Sequence, residues 1–396
     1  MKNITIIGGG NMGSILSVKF SQKNNVTLFL NNSKKLDEYS KNMKIFNEDS
    51  NTYVTGKIAK ITDNLEDAVK DAEWIYVTFP PFLFENLSKD LVPLLKAGQH
   101  LVGIPGSGGF ELFFKDALVK GVTITGLQRV HSVARIIERG REVRESGVRK
   151  NIRCASIPMS FNKEAAEFIS NCYSLPVDPL DNYLNITLIN SNPILHTSRL
   201  YTIFKDFETV KEYDSLPLFY EEWSLESSEL LEKMDKELFI MMDELIKNGM
   251  VVNEITTLLE HYESKNAIEM TRKLNSINSL KGLSTPSIKN DNGKWIPDLK
   301  SRYFTADFPL GLDILLSFSS VLNIPTPNLL MVSNWYHKIT NTPRSFTLKR
   351  FGFNDIERTI WTTSPTSEIS KEIIAEIFFI IWSRTLDLKL MGFDVD

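Results

Sequence analysis

The chain has 396 residues, 42% hydrophobic and 24% charged, with a formal net charge of −4 and a pI near 5.9. That length accommodates two domains with separate cores, and the charge balance offers no footprint for nucleic acid. Two cysteines, Cys154 and Cys172, are too few for a disulfide framework and fit a reducing, cytoplasmic setting. The start of the chain, one lysine and then a strand, is not expected to act as a cleavable leader. The apolar run Ile377–Trp382 is too short to span a bilayer. It reads as a buried helix or an oligomer contact, so no membrane partner is expected and the protein is a monomer or homodimer.

Ile4-Thr5-Ile6-Ile7 reads as a strand that runs into Gly8-Gly9-Gly10-Asn11-Met12-Gly13. A helix-patterned segment follows, with Met12, Leu16 and Phe20 on one stripe. A G-x-G-x-x-G turn between strand and helix is the dinucleotide-binding pattern. Gly8 makes the turn, Gly10 admits a pyrophosphate close to backbone N–H groups, and Gly13 lets helix pack on strand, with the phosphates at the helix's positive end. Asn11 and Met12 complete the loop.

Val26–Leu30 reads as the second strand. At its end, where a carboxylate for the ribose 2′-hydroxyl would favour NAD, stand Asn31, Asn32, Ser33, Lys34 and Lys35. Neutral donors and two cations suit a 2′-phosphate, so NADP(H) is expected to be favoured, with NAD(H) possible. Trp74–Phe79 is a nearly continuous apolar run, as in a strand buried on both faces, and ends in Pro80-Pro81-Phe82. His100–Ile104 is the next strand, followed by Pro105-Gly106-Ser107-Gly108-Gly109. Distinctive turns at three strand ends imply a nucleotide crevice lined by Gly8, Gly10, Asn31, Ser33, Lys34, Pro80, Pro81, Pro105 and Gly106.

Gln128 to Lys150 is dense in arginine and glutamate and reads as solvated surface, with Gln128 or Arg129 placed near the cofactor. The proline-broken stretch Leu175–Asp181 marks the boundary between residues 1–180 and 181–396. The fold class is therefore α/β, a doubly wound, mainly parallel sheet, followed by a helical domain. In the second half, Pro193 falls inside a helical pattern and is expected to bend it, three residues before His196. Glu221–Lys247 reads as a long amphipathic helix whose acids form its wet face. In Arg302-Tyr303-Phe304-Thr305-Ala306-Asp307-Phe308-Pro309, taken alone, Asp307 suits an N-cap and Arg302 a surface ion pair. The five histidines show no metal-ligand spacing.

Together these segments resemble the octopine/nopaline (opine) dehydrogenase family over nearly the whole length. The residues that carry the resemblance are Gly8–Gly13, Pro80-Pro81-Phe82, Pro105–Gly109, Gln128-Arg129-Val130, Asn192-Pro193-Ile194-Leu195-His196, Leu280–Pro286, and Arg302-Tyr303 with Asp307, Pro309 and Gly311-Leu312. The resemblance implies a Rossmann domain, an all-α C-terminal domain and an active site between them, where an amino acid and a 2-oxo acid such as pyruvate are reductively joined with NAD(P)H. It also implies that His196, Arg302 and Asp307 are the catalytic residues. Two departures stand out: Ala306, where the family commonly has an acid, and a longer tail after residue 364. The competing readings are a ketone reductase of the ketopantoate-reductase or hydroxyacyl-dehydrogenase type, and a nucleotide-binding regulator without turnover.

Overall fold

A computed structural model gives the fold and describes residues 1–189, 191–247 and 256–344. Asn190, the run Ile377–Trp382 and the tail after residue 364 lie outside the described residues.

The first half is built from twelve strands: β1 (Asn3–Ile7), β2 (Asn25–Phe29), β3 (Asn42–Asn47), β4 (Thr52–Lys57), β5 (Lys60–Thr62), β6 (Trp74–Val77), β7 (His100–Gly103), β8 (Thr123–Leu127), β9 (Val133–Glu138), β10 (Glu142–Ser146), β11 (Ile152–Ile157) and β12 (Val177–Pro179). Eight of them form one sheet in the order β12-β11-β8-β7-β6-β1-β2-β5. Its pairings are parallel except that between β8 and β11. The chain reverses direction across the sheet between β1 and β6. In open α/β sheets this switch point leaves a crevice at the strands' carboxyl ends. Ile4, Ile6, Tyr76 and Val102 face one apolar layer, and Ile7, Ile75, Val77 and Leu101 the other, which is why these strands read as unbroken apolar runs.

A second sheet, β4-β3-β10-β9, takes two of its strands, β9 and β10, from the stretch expected to be solvated surface. The expectation fails because its charges are not all outside. Glu145 and His131 are each 1% exposed. The Glu145 carboxylate is held by His131 Nε2 at 2.8 Å, the Ser132 hydroxyl at 2.9 Å and Lys19 Nζ at 3.0 Å. A buried charge is tolerated only when it is paired and hydrogen-bonded in this way.

The second half packs helices around a separate core that includes Leu200, Phe204, Leu231, Phe304 and Phe308, and carries one small hairpin, β13 (Ser287–Lys289) with β14 (Trp295–Pro297). The stretch Arg302–Val321 is long and apolar enough to cross a membrane by composition, but 67% of it is buried here, as in the core helix of a globular domain. The helix expected over Glu221–Lys247 spans Leu225–Lys247. Two of its acids are not on a wet face. Asp235 accepts the Leu258 N–H at 2.8 Å, and Glu237 accepts those of Asn328 and Leu329 at 2.8 and 2.9 Å. The latter two belong to the first turn of Pro327–Thr340, so Glu237 satisfies free helix donors and complements the positive end of that dipole.

Candidate active site

The glycine turn has the geometry a dinucleotide needs. Gly8 has φ of +114°, a conformation open to glycine. A Cβ on Gly13 would lie 1.7 Å from the Gly8 carbonyl oxygen, so helix α1 (Asn11–Phe20) seats directly on the turn. At Gly10 an added Cβ meets nothing within 4 Å; the space there is open to a ligand. Gly8, Gly10, Asn31 and Pro80 line one cleft together with Asn32, Lys35, Tyr39, Thr78 and Arg139. The Tyr39 hydroxyl donates to the Gly9 carbonyl at 2.6 Å and closes the cleft's side.

The other residues expected in this crevice play different parts. Met12 packs into the sheet's core. The Asn11 side chain accepts the Ile136 N–H of β9 at 2.9 Å, and so ties the second sheet to the glycine turn. Ser33 and Lys34 lie in a short 3-10 helix capped by Asn32, outside the cleft lining; Lys35 and Arg139 are the cations that reach it. Pro81 packs on Gly108, and Gly106, next to Pro105, is buried. A Cβ on Gly106 would stand 2.3 Å from Gly126 Cα and 2.8 Å from the Tyr183 hydroxyl. That glycine serves packing, not phosphate approach. Gln128 and Arg129 line a separate cavity beside the helical half, not the nucleotide cleft.

In the helical half, Pro193 does not bend a helix. It lies in the first turn of α2 (Asn192–Phe204), where a missing N–H costs nothing. His196 follows one turn in and is 7% exposed. Its Nδ1 lies 2.8 Å from Asp307 Oδ2, and its Nε2 lies 2.7 Å from the Tyr220 hydroxyl. An ionised carboxylate only accepts hydrogen bonds, so Nδ1 carries the donated proton and Nε2 accepts from Tyr220. The Tyr303 ring packs against the imidazole, with centroids 4.6 Å apart.

Asp307 occupies the N-cap position of Phe308–Leu312, but its carboxylate makes no capping bond and turns to His196 instead. The segment Phe308–Leu312 is a wide π turn in which the Leu312 N–H reaches the Asp307 carbonyl at 2.8 Å, a distortion that often accompanies functional positions. The turn is pinned from two sides. A Cβ on Gly311 would lie 2.9 Å from the Pro193 ring, and one on Gly108 would lie 2.6 Å from Pro81 and 3.6 Å from the Leu310 carbonyl. The carboxyl ends of the sheet therefore abut the turn that carries Asp307.

Arg302 is exposed, and among the described residues no hydrogen bond or ion pair engages its guanidinium. Its charge reaches the phenols of Tyr220 and Tyr303 and favours their ionisation, but burial dominates and pushes both up. Arg135 on β9 acts on Tyr303 from the other domain. One strand is thus hydrogen-bonded to the glycine turn through Ile136 and carries, in Arg135, a charge within electrostatic reach of the histidine's aromatic neighbour. Tyr220 and Tyr303 were missed in the sequence as members of this cluster. Tyr303 stands inside the Arg302 motif, which could have marked it, whereas Tyr220 lies in an irregular segment that follows no period.

The helical half matches the family model for NAD/NADP octopine/nopaline dehydrogenase, alpha-helical domain, over residues 179–340. The first half matches the NAD-dependent glycerol-3-phosphate dehydrogenase N-terminus over residues 3–143. Tauropine dehydrogenase of Arabella iricolor is 25% identical over 366 residues, 85% of this chain and 91% of that protein. Octopine dehydrogenase of Pecten maximus is 24% identical, over 82% of this chain and 87% of that protein. Among solved structures, octopine dehydrogenase with NADH and L-arginine superposes with a TM-score of 0.81 at 19% identity, covering 93% of this chain and all of that one (100%). Sequence relatives agree across both halves: the second half carries the alpha-helical domain of the octopine/nopaline dehydrogenases, and the chain as a whole is similar to these NAD(P)-dependent oxidoreductases.

Proposed function

We propose that this enzyme reductively joins the amino group of an amino acid to the keto carbon of a 2-oxo acid such as pyruvate. The observation that carries the reading is the His196–Asp307 pair beside the unengaged Arg302 guanidinium. Arg302 binds the oxo acid's carboxylate, for which its planar fork is suited. The amine adds to the keto carbon and water leaves, which gives an imine that must be protonated to accept hydride. His196 Nε2 handles that proton, and Asp307 holds the imidazole in the required tautomer and stabilises its charged form. The nicotinamide supplies the hydride when bound; Gly8, Gly10 and the start of α1 fit its pyrophosphate.

The test is oxidation of reduced cofactor with pyruvate, with and without an added amino acid. A rate that needs the amine supports this reading. An amine-independent rate supports a simple ketone reductase instead, and the likeness to a ketopantoate reductase, with a TM-score of 0.58 at 13% identity, is one of fold alone.

NADP(H) is the proposed cofactor of choice, supported by Lys35 and Arg139 in the cleft lining at the end of β2, where a 2′-phosphate would lie. Comparing kcat/KM for NADPH and NADH decides it; a clear preference for NADH sinks the proposal.

A further inference from the structure

Tyr220, which holds its hydroxyl against His196 Nε2, comes from a turn outside any helix or strand. The backbone groups of such a turn join no ladder of their own and need partners from elsewhere. Arg199 supplies them from one side. It lies three residues beyond His196 on α2, so the two side chains leave the same face of that helix. Arg199 is 2% exposed. Its Nε donates to the Phe219 carbonyl at 3.1 Å, and one terminal nitrogen donates to those of Leu218 and Glu222 at 3.4 and 2.6 Å. The other donates to the hydroxyls of Ser224 and Ser227 at 3.2 and 3.3 Å. The guanidinium carbon stands 5.5 Å from the Trp223 ring centroid, and that ring lies within 16° of parallel to the ring of Tyr220. One side chain thus fixes the backbone on both sides of Tyr220 and the aromatic wall beside its ring.

The turn is held from a second side. The Leu283 carbonyl accepts the Phe219 N–H at 2.8 Å, and the Thr285 hydroxyl donates to the Pro217 carbonyl at 2.6 Å. The stretch Leu280–Pro286, one of those that carry the family resemblance, thereby gains a part in the site. Burial lowers the pKa of Arg199 to about 10, so it stays charged at neutral pH. Among the described residues no carboxylate forms an ion pair with it. A buried charge of this kind is costly and is tolerated where its hydrogen bonds are made. Here three of them go to the carbonyls of the turn that presents Tyr220.

We propose that Arg199 and Thr285 are positioning residues: clamping this turn from opposite sides, they set the Tyr220 hydroxyl on His196 Nε2 and so govern the histidine's proton transfer. The effect on turnover rests on the amine-joining reaction proposed above; the placement of Tyr220 does not.

Arg199→Lys keeps the charge, removes the planar fork, and is read in two ways. The first is nitrogen NMR of the full chain labelled at its five histidines, with His196 assigned against His196→Ala. In Arg199→Lys the Nε2 resonance should move towards its position in Tyr220→Phe, while Nδ1, set by Asp307, stays. An Nε2 resonance left where the wild type has it overturns the proposal. The second is the single-turnover rate per folded enzyme, with whichever amine and oxo acid react fastest. Arg199→Lys should lower it about 3–10-fold in the wild type, the scale of one hydrogen bond, and less than about twofold in Tyr220→Phe. Equal losses in both backgrounds mean that Arg199 does not act through Tyr220, and overturn the proposal as well. An arginine serving stability alone would lower Tm and leave both readings unmoved. Should Arg199→Lys fail to fold, Thr285→Val deletes one bond from the opposite side of the turn and is judged by the same two readings. If no amine and oxo acid turn over, the amine-joining reading falls, and the Nε2 resonance decides the placement of Tyr220 by itself.

Discussion

His196 Nδ1 and Asp307 Oδ2 stand 2.8 Å apart although 111 residues separate them in the chain. Helix α2 presents one and a π turn presents the other, and Gly311 lies against Pro193 where the two elements meet. Replacing Asp307 by Asn keeps the shape but removes the negative charge and lets an amide N–H face Nδ1, so the Nδ1–H tautomer is no longer enforced. We expect kcat to fall about 10²–10⁴-fold, the scale of a lost acid–base function, with cofactor binding retained. His196→Ala should behave alike, and near-normal turnover in steady-state assays would remove the pair from the mechanism.

Tyr220 fills the remaining valence of the imidazole. Tyr220→Phe keeps the ring among its aromatic neighbours and deletes one hydrogen bond, a loss of about 0.5–1.5 kcal/mol. The expected result is a kcat lower by about 3–10-fold, with a smaller change in the KM for pyruvate. Stopped-flow measurement of a single turnover checks whether the loss lies in the chemical step; a loss confined to KM would assign Tyr220 to binding.

The junction itself is testable at Gly311. A methyl there comes within 2.9 Å of two atoms of the Pro193 ring, which is rigid and cannot rotate away. Gly311→Ala should destabilise the protein by about 1–3 kcal/mol, as overpacking does, and displace Asp307 from His196. A lower Tm together with a kcat reduced beyond that of the folded fraction is the expected pair of readings. An unaltered Tm would mean that the turn accommodates the methyl.

Two glycines of the nucleotide turn should separate folding from binding. Gly13→Ala forces a methyl to 1.7 Å from the Gly8 carbonyl oxygen and should prevent the turn from forming. At Gly10 the same addition meets no protein atom within 4 Å, so Gly10→Val should melt like the wild type but bind NADPH at least about tenfold more weakly, because its branches occupy the approach of the pyrophosphate. Fluorescence titration and thermal melts on both variants check this. Tight binding by Gly10→Val would place the phosphates elsewhere.

What the residues disclose in advance depends on how local the physics is. The Gly8–Gly13 turn and the apolar run at Trp74 are legible because backbone conformation and burial on both faces are decided by neighbours in sequence. Asp307 and His196 are legible through motifs, although an aspartate before Phe308-Pro309 suits an N-cap equally well and only the arrival of α2 decides between them. Glu145, Asp235 and Glu237 mislead because a carboxylate's burial depends on a partner from far along the chain: Lys19 for the first, the Leu258 N–H for the second, the start of Pro327–Thr340 for the third. No window around those acids contains that information. Arg129 misleads for the same reason, since its cavity exists only when the helical half closes over the end of β8.

Glu111 carries the last prediction. It is 1% exposed, accepts from the Thr187 hydroxyl through Oε1, and its Oε2 has no hydrogen-bond partner. Burial raises its pKa from 4.5 to about 7, against a smaller opposing effect of the Thr187 bond. Below pH 4.5 the folded and unfolded chains are both protonated there and the group is neutral in its effect. Between 4.5 and 7 the unfolded chain ionises while the folded one keeps its proton, so stability falls as pH rises. Above 7 both are ionised and the loss levels off at about 3 kcal/mol, from roughly 1.4 kcal/mol for each pH unit of the interval. Glu111→Gln cannot ionise and should therefore raise Tm at pH 8 while leaving it nearly unchanged at pH 4. Because Thr187 belongs to the helical half and Glu111 to the short helix Phe110–Phe113 that follows β7, the gain at high pH should appear as tighter association of the two halves, read by slower amide exchange in Leu184–Thr187. Equal Tm differences at pH 4 and pH 8 would show that folding does not raise the pKa of this carboxyl.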